Sequence, residues 1–181
     1  MKNILLIVFV LINAGAAAFA APGGKYIETG KPAPGFKLQD QNKNAVELKD
    51  FKGKILVIVH TSARRGADSI VAIANETAAE FNPPGADKKG SGKVSVFAAG
   101  NFKKLPSFLR NRVRKSLVKP GYPAFLMDWK GELAAAFGQH ADGNSVYIIG
   151  PDGRVEYAGD IENTAKDKKK LIEIITALLE K

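Results

Sequence analysis

Ile55-Leu56-Val57-Ile58-Val59-His60-Thr61-Ser62-Ala63-Arg64-Arg65-Gly66-Ala67-Asp68 is the stretch on which the fold turns. Its first five residues form an unbroken aliphatic run, the pattern of a strand covered on both faces. Polar and small residues follow. From Asp68 to Phe81, Ile70, Ile73, Ala74, Ala78 and Phe81 then fall on one helical stripe. A buried strand passing through a turn into an amphipathic helix marks an α/β unit.

The flanking chain fits that unit. Phe36–Leu38 and Val46–Leu48 read as short strands around the turn-rich Asp40-Gln41-Asn42-Lys43-Asn44. Asn82–Lys93 is rich in Pro, Gly and Lys and reads as an exposed loop, and Val94–Ala99 as a second buried strand. Leu105–Lys119 is expected to be an amphipathic helix with Leu105, Phe108, Leu109, Val113 and Leu117 inward, Pro106 being tolerable in its first turn. Ala124–Met127 reads as a strand and Glu132–Phe137 as a short helix. Val146–Ile149 and Val155–Tyr157 form a hairpin through Pro151-Asp152-Gly153. Leu171, Ile174, Ile175, Leu178 and Leu179 line a final helix that Thr164 and Asp167 are placed to cap. The sum is a mixed α/β sheet with helices on both faces.

The first twenty residues stand outside that domain. Lys2, the apolar Ile4–Ile12 and the small-x-small Ala18-Phe19-Ala20 have the form of a cleavable export signal. The apolar stretch falls short of the roughly 20 residues of a membrane span. The expected division is a signal peptide at 1–20, a leader at 21–28 and one domain at 29–181. Formal charge is +9, and loss of Lys2 would leave +8, a balance that favours anionic surfaces. Export to an oxidising compartment commonly accompanies disulfides, yet the chain has no cysteine. It therefore lacks the residue that carries a lipoprotein's lipid.

Gly30-Lys31-Pro32-Ala33-Pro34-Gly35-Phe36-Lys37-Leu38 and Leu48-Lys49-Asp50-Phe51-Lys52-Gly53-Lys54 resemble the opening of the peroxiredoxin and TlpA-like thioredoxin superfamily. Tyr122–Asp128, Glu132–Gly138 and Ser145–Val155 resemble its later strands and terminal hairpin. The likeness covers roughly 29–181 and implies a thioredoxin-like fold. It also implies peroxide or disulfide reduction, but the functional positions do not carry over. Arg64 and Ala67 stand where the two thiols of a CxxC pair would fall, the Pro-x-x-x-Thr-x-x-Cys pattern is unmatched, and Asn144-Ser145 replaces the superfamily's cis-proline. Thiol exchange requires a thiolate as attacking atom, so a redox-inactive protein is expected. Gly53-Lys54 before the apolar strand, His60 with its Arg/Ser/Ala segment, Asn144-Ser145-Val146 and Asp152-Gly153-Arg154-Val155 resemble the YtfJ-like proteins. These are exported thioredoxin-fold proteins of Gram-negative bacteria without redox cysteines. That likeness implies a periplasmic protein but transfers little mechanism; with thiol chemistry absent, a binding or accessory role is expected.

Two regions are candidates for contact. The turn from His60 to Ala67 would sit at a helix N-terminus, where free N–H groups favour an anion, and Arg64 and Arg65 would add charge-assisted hydrogen bonds. The expected binding set is His60, Arg64, Arg65, Asn144 and Ser145, holding an unidentified periplasmic protein or an anionic ligand. His60 and His140 are the only histidines. Without cysteine or clustered acids they make no metal set, and His60 is expected to be partly buried with its hydrogen bonds satisfied. Thr61, Ser62 and Ser69 lack a nucleophile elbow, and no phosphate loop or dinucleotide fingerprint is present, so no cofactor is expected.

The second region is the run Lys103, Lys104, Arg110, Arg112, Arg114, Lys115 and Lys119, which no acid interrupts. Arg110, Arg114 and Lys115 are its expected contact residues, for an anionic membrane surface or an acidic protein. No aromatic platform accompanies the charge, which disfavours nucleic acid. Lys166 and Lys168-Lys169-Lys170 lie in the first turns of the last helix, the unfavourable end for cations.

Overall fold

The computed structural model describes residues 26–62, 67–82, 92–119, 123–139, 143–162 and 165–181. The expected signal peptide, Arg64, Arg65, His140, Thr164 and most of the Asn82–Lys93 loop lie outside them.

In chain order the elements are β1 (Lys37–Asp40), β2 (Ala45–Glu47), a 3₁₀ turn (Leu48–Phe51), β3 (Ile55–Ser62), α1 (Ala67–Phe81) and β4 (Val94–Asn101). A second 3₁₀ turn (Ser107–Leu109) leads into α2 (Arg110–Ser116), then β5 (Phe125–Asp128), α3 (Glu132–Phe137), β6 (Asn144–Ile149), β7 (Val155–Asp160) and α4 (Ala165–Leu179). Among the described residues seven strands form one sheet, ordered β2-β1-β5-β4-β3-β6-β7. β3, β4 and β5 run parallel, while β1 and β6 flank them antiparallel.

The aliphatic run of β3 has the environment its composition demands. Ile55, Val57 and Val59 face one layer with Ile70, Ile73 and Ala74 of α1 and Leu171, Ile175 and Leu178 of α4. Leu56 and Ile58 face the other with Leu133 and Phe137 of α3 and Tyr147 and Ile149 of β6. Residues 56–59 have no exposed surface. Asp128, also fully buried, accepts the N–H groups of Glu132 and Leu133 at 2.8 and 2.9 Å and so holds α3 against the sheet. Gly131, at φ +75°, makes the reversal between β5 and α3. At the β6–β7 hairpin Gly150 donates to Arg154, and Gly153 takes φ +78°. The N-terminal segment lies along β7 and over α3: Gly30 donates to Val155, Val155 to Lys31, and Ile27 to Phe137.

Two expectations are corrected. β3 continues to Ser62, so His60, Thr61 and Ser62 are strand residues, not part of a turn. The Leu105–Lys119 helix shortens to α2 behind the 3₁₀ turn, because Pro106 has extended ψ (141°) and begins a three-residue turn instead of an α-turn. The tighter phase swings Phe108 outward to 80% exposure. At α4 the lysines find partners within the chain: Lys168 with Glu76 at 2.5 Å, and Lys170 on the Tyr157 hydroxyl at 2.9 Å.

Phe137 has no exposed surface and packs on Tyr147 with ring centroids 4.9 Å apart. Phe137→Ala is expected to lower stability by about 3–5 kcal/mol. It would be read as a fall in the urea midpoint with an unchanged m-value.

Candidate functional site

The carboxyl end of β3 is where the chain could do chemistry or hold a ligand. In register, His60 stands between Ala99 of β4 and Ser145 of β6, and Ser145 stands opposite Asp160 of β7. Cross-strand partners share a face, so His60, Ser145 and Asp160 form a polar row across one side of the sheet. Tyr147, two residues beyond Ser145, joins that face by strand alternation.

Tyr26 reaches this row from the N-terminal segment. Its hydroxyl donates to Asp160 Oδ1 at 2.5 Å and lies 2.8 Å from Ser145 Oγ. A phenol has one proton, already given to the carboxylate, so the Ser145 hydroxyl donates to the Tyr26 oxygen. On the opposite face, buried Thr61 donates through Oγ1 to Asn144 Oδ1 at 2.6 Å, tying the end of β3 to the start of β6. Among the described residues every peptide bond is trans.

His60 has no exposed surface. Its Nδ1 lies 3.5 Å from the Tyr147 hydroxyl, at the outer limit of a hydrogen bond, and that hydroxyl already donates to the Gly138 carbonyl at 2.7 Å. Nε2 has no partner at all. The expected partly buried, satisfied histidine is thus corrected: the ring is wholly enclosed and one nitrogen is orphaned. Burial holds the imidazole neutral, pushing its pKa down to about 3, and pushes the Tyr147 phenol upward. A neutral, enclosed imidazole beside a committed phenol offers no general base to a solvent-borne substrate.

Of the five expected binding residues, the structure brings His60 and Ser145 together on one face of the sheet and places Asn144, with Thr61, on the other, while Arg64 and Arg65 fall outside the described residues. Tyr26, Tyr147 and Asp160 belong to the same cluster and were not foreseen. Tyr147 was accessible through alternation from Ser145. Tyr26, 119 residues from its partner Ser145, had no local signal.

The basic run divides. Arg110 and Arg114 turn inward, their guanidinium carbons 5.3 and 5.5 Å from the centre of the Trp129 ring, itself packed on Phe102. Arg114 also donates to Gln39 Oε1 at 3.2 Å. Each such cation–π contact is worth roughly 0.5–1 kcal/mol near a surface, so these two arginines fasten α2 to Trp129, the residue that follows β5. Lys115, the third expected contact residue, is exposed. Among the described residues no cluster of three or more His, Asp and Glu is placed to hold a metal.

No protein-family model matches the chain, and no curated protein is significantly similar to it. Solved structures do share its fold. One from Chlorobium tepidum, described as a thiol:disulfide interchange protein DsbE, aligns with a TM-score of 0.62 at 20% identity, over 84% of this chain and 99% of that one. The pneumococcal exposed lipoprotein thioredoxin of Streptococcus pneumoniae gives 0.59 at 15% identity, over 80% and 100%. BsSco, of the Sco family of cytochrome c oxidase assembly proteins, gives 0.58 at 15%, over 86% and 96%. The chain has a thioredoxin-like fold, a mixed sheet with helices on both faces. Likeness at these identities is of fold, and chemistry must be read from residues. With no cysteine in the sequence, the chain has no thiol of its own for disulfide exchange.

The neutral His60 makes stability depend on acidity. Its folded pKa lies below the unfolded value near 6.5. Between the two, the unfolded chain binds a proton that the folded chain refuses, so the contribution is full above about pH 6.5 and is lost as pH falls toward 3. The loss is expected to approach about 1.4 kcal/mol per pH unit in that window. In urea titrations at pH 7, 6, 5 and 4, His60→Leu should show a shallower decline than the parent chain.

Proposed function

We propose that this is an exported, redox-inactive thioredoxin-fold protein that works by binding, as an accessory module of the periplasm. Its contact region is the edge at His60, Arg64, Arg65, Asn144 and Ser145; His60 and Ser145 are buried there and support the edge from within, and direct contact is proposed for Arg64, Arg65 and the part-exposed Asn144. The observation that carries the reading is the Thr61–Asn144 tie beside a buried neutral His60, at the strand end where the TlpA-like resemblance would place reactive thiols. A rigid, unreactive edge suits recognition rather than turnover. Arg64 and Arg65 follow Ser62 directly in the chain by two and three positions, and their paired cations favour an acidic group on the partner. The signal-like first twenty residues and the resemblance to YtfJ-like proteins support the compartment.

The purified chain is expected to reduce neither peroxide nor an insulin disulfide, and turnover in either assay would overturn the proposal. In an envelope pull-down the parent chain should retain a discrete protein that Arg64→Ala/Arg65→Ala does not. Equal retention by both would remove the two arginines from the contact region.

A further inference from the structure

Phe108 is the most exposed large apolar side chain among the described residues, at 80%, and the next is Val118 at 53%. Both flank α2, one in the 3₁₀ turn before it and one just after it. Helical spacing places Arg112 and Lys115 about one and two turns beyond Phe108 on the same face, and both are exposed. Lys103 and Lys104, exposed as well, stand just ahead of the 3₁₀ turn. Among the described residues none of these four cations is paired with an acid, and the sequence has no Asp or Glu from residue 88 to 127. The opposite face of α2 is fastened by Arg110 and Arg114 on Trp129. The exposed face is therefore held outward by packing beneath it.

We propose that this face, Phe108 with Lys103, Lys104, Arg112 and Lys115, docks on an anionic phospholipid surface. An exposed aromatic ring amid long, unpaired cationic side chains is the arrangement that inserts at a headgroup boundary while the charges meet lipid phosphates. An acidic protein is the other occupant such a face could take, and displacement by polyglutamate is the outcome that would reveal it. The proposal is independent of the β3–β6 contact region and uses none of its residues.

The test is co-sedimentation of the full chain with vesicles of 30% phosphatidylglycerol in phosphatidylcholine, beside vesicles of phosphatidylcholine alone. Binding is expected only to the anionic vesicles, and it should weaken steeply between 0.05 and 0.5 M salt as charges are screened. Arg112→Ala/Lys115→Ala should weaken it by about 25-fold, roughly fivefold for each cation, and Phe108→Ser by about tenfold. Lys52→Ala/Lys54→Ala removes the same charge at the far end of β3 and should change binding less than twofold. Phe108→Trp should show a blue-shifted emission component on anionic vesicles, which places the contact at this residue and not at the apolar N-terminal segment. Three results would overturn the proposal: no preference for anionic vesicles, equal losses in the control and test variants, or polyglutamate displacing the chain from vesicles at stoichiometric amounts.

Discussion

Enclosure of β3 between two layers is the constraint from which the rest of the molecule follows. A strand with water on neither face can satisfy its polar groups only through its neighbours. It pairs with β4 along its whole length and with β6 from Leu56 to Thr61, and its aliphatic residues divide between two cores. At the carboxyl end the same enclosure reaches polar side chains. Thr61 meets it with a hydrogen bond to Asn144. His60 meets it by remaining neutral and leaving one nitrogen without a partner. Ser145 and Asp160 are brought into one chain of hydrogen bonds by Tyr26. What would be a reactive rim in a thiol protein is here an extension of the core.

The parts of the fold legible in the sequence are those whose pattern is purely local. Five aliphatic residues at 55–59 fit a doubly covered strand, and the apolar stripes of α1, from Ile70 to Phe81, and of α4, from Leu171 to Leu179, keep their period without a break. Periodicity misled where local geometry broke the period. A 3.6-residue rhythm carried through Pro106 puts Phe108 inside, but the 3₁₀ turn advances each residue farther and points it to solvent. The same rhythm made Arg110 and Arg114 neighbours, correctly, but could not show that Trp129 would lie beneath them. Charge in a sequence does not say which face is wet, because a guanidinium packs on an indole as well as it meets water.

The candidate site divides in the same way. Asn144 and Ser145 were identifiable because they occupy the start of a recognisable strand, and His60 because it follows an apolar run. Their partners come from far along the chain, Tyr26 from the segment that crosses α3, and no spacing rule links residues so distant. Histidine burial is likewise a property of the assembled layers. Nothing in the order His60-Thr61-Ser62 distinguishes an exposed imidazole from one sealed between β4, β6 and Tyr147.

The two ends of the basic chemistry show how a cation's surroundings decide its use. Four lysines crowd the amino end of α4, against the helix dipole, yet Lys168 is drawn to Glu76 and Lys170 to Tyr157, so part of that charge stitches α4 to α1 and β7. Along α2 the division runs between faces of one short helix. Two arginines are spent inward on Trp129, and the cations beside Phe108 are left without a counter-charge. Helix stability does not require that second set, since an exposed lysine could be exchanged for a neutral residue at little loss. An unpaired, one-sided charge next to an exposed ring is therefore better understood as a surface shaped for something outside the chain than as a by-product of folding.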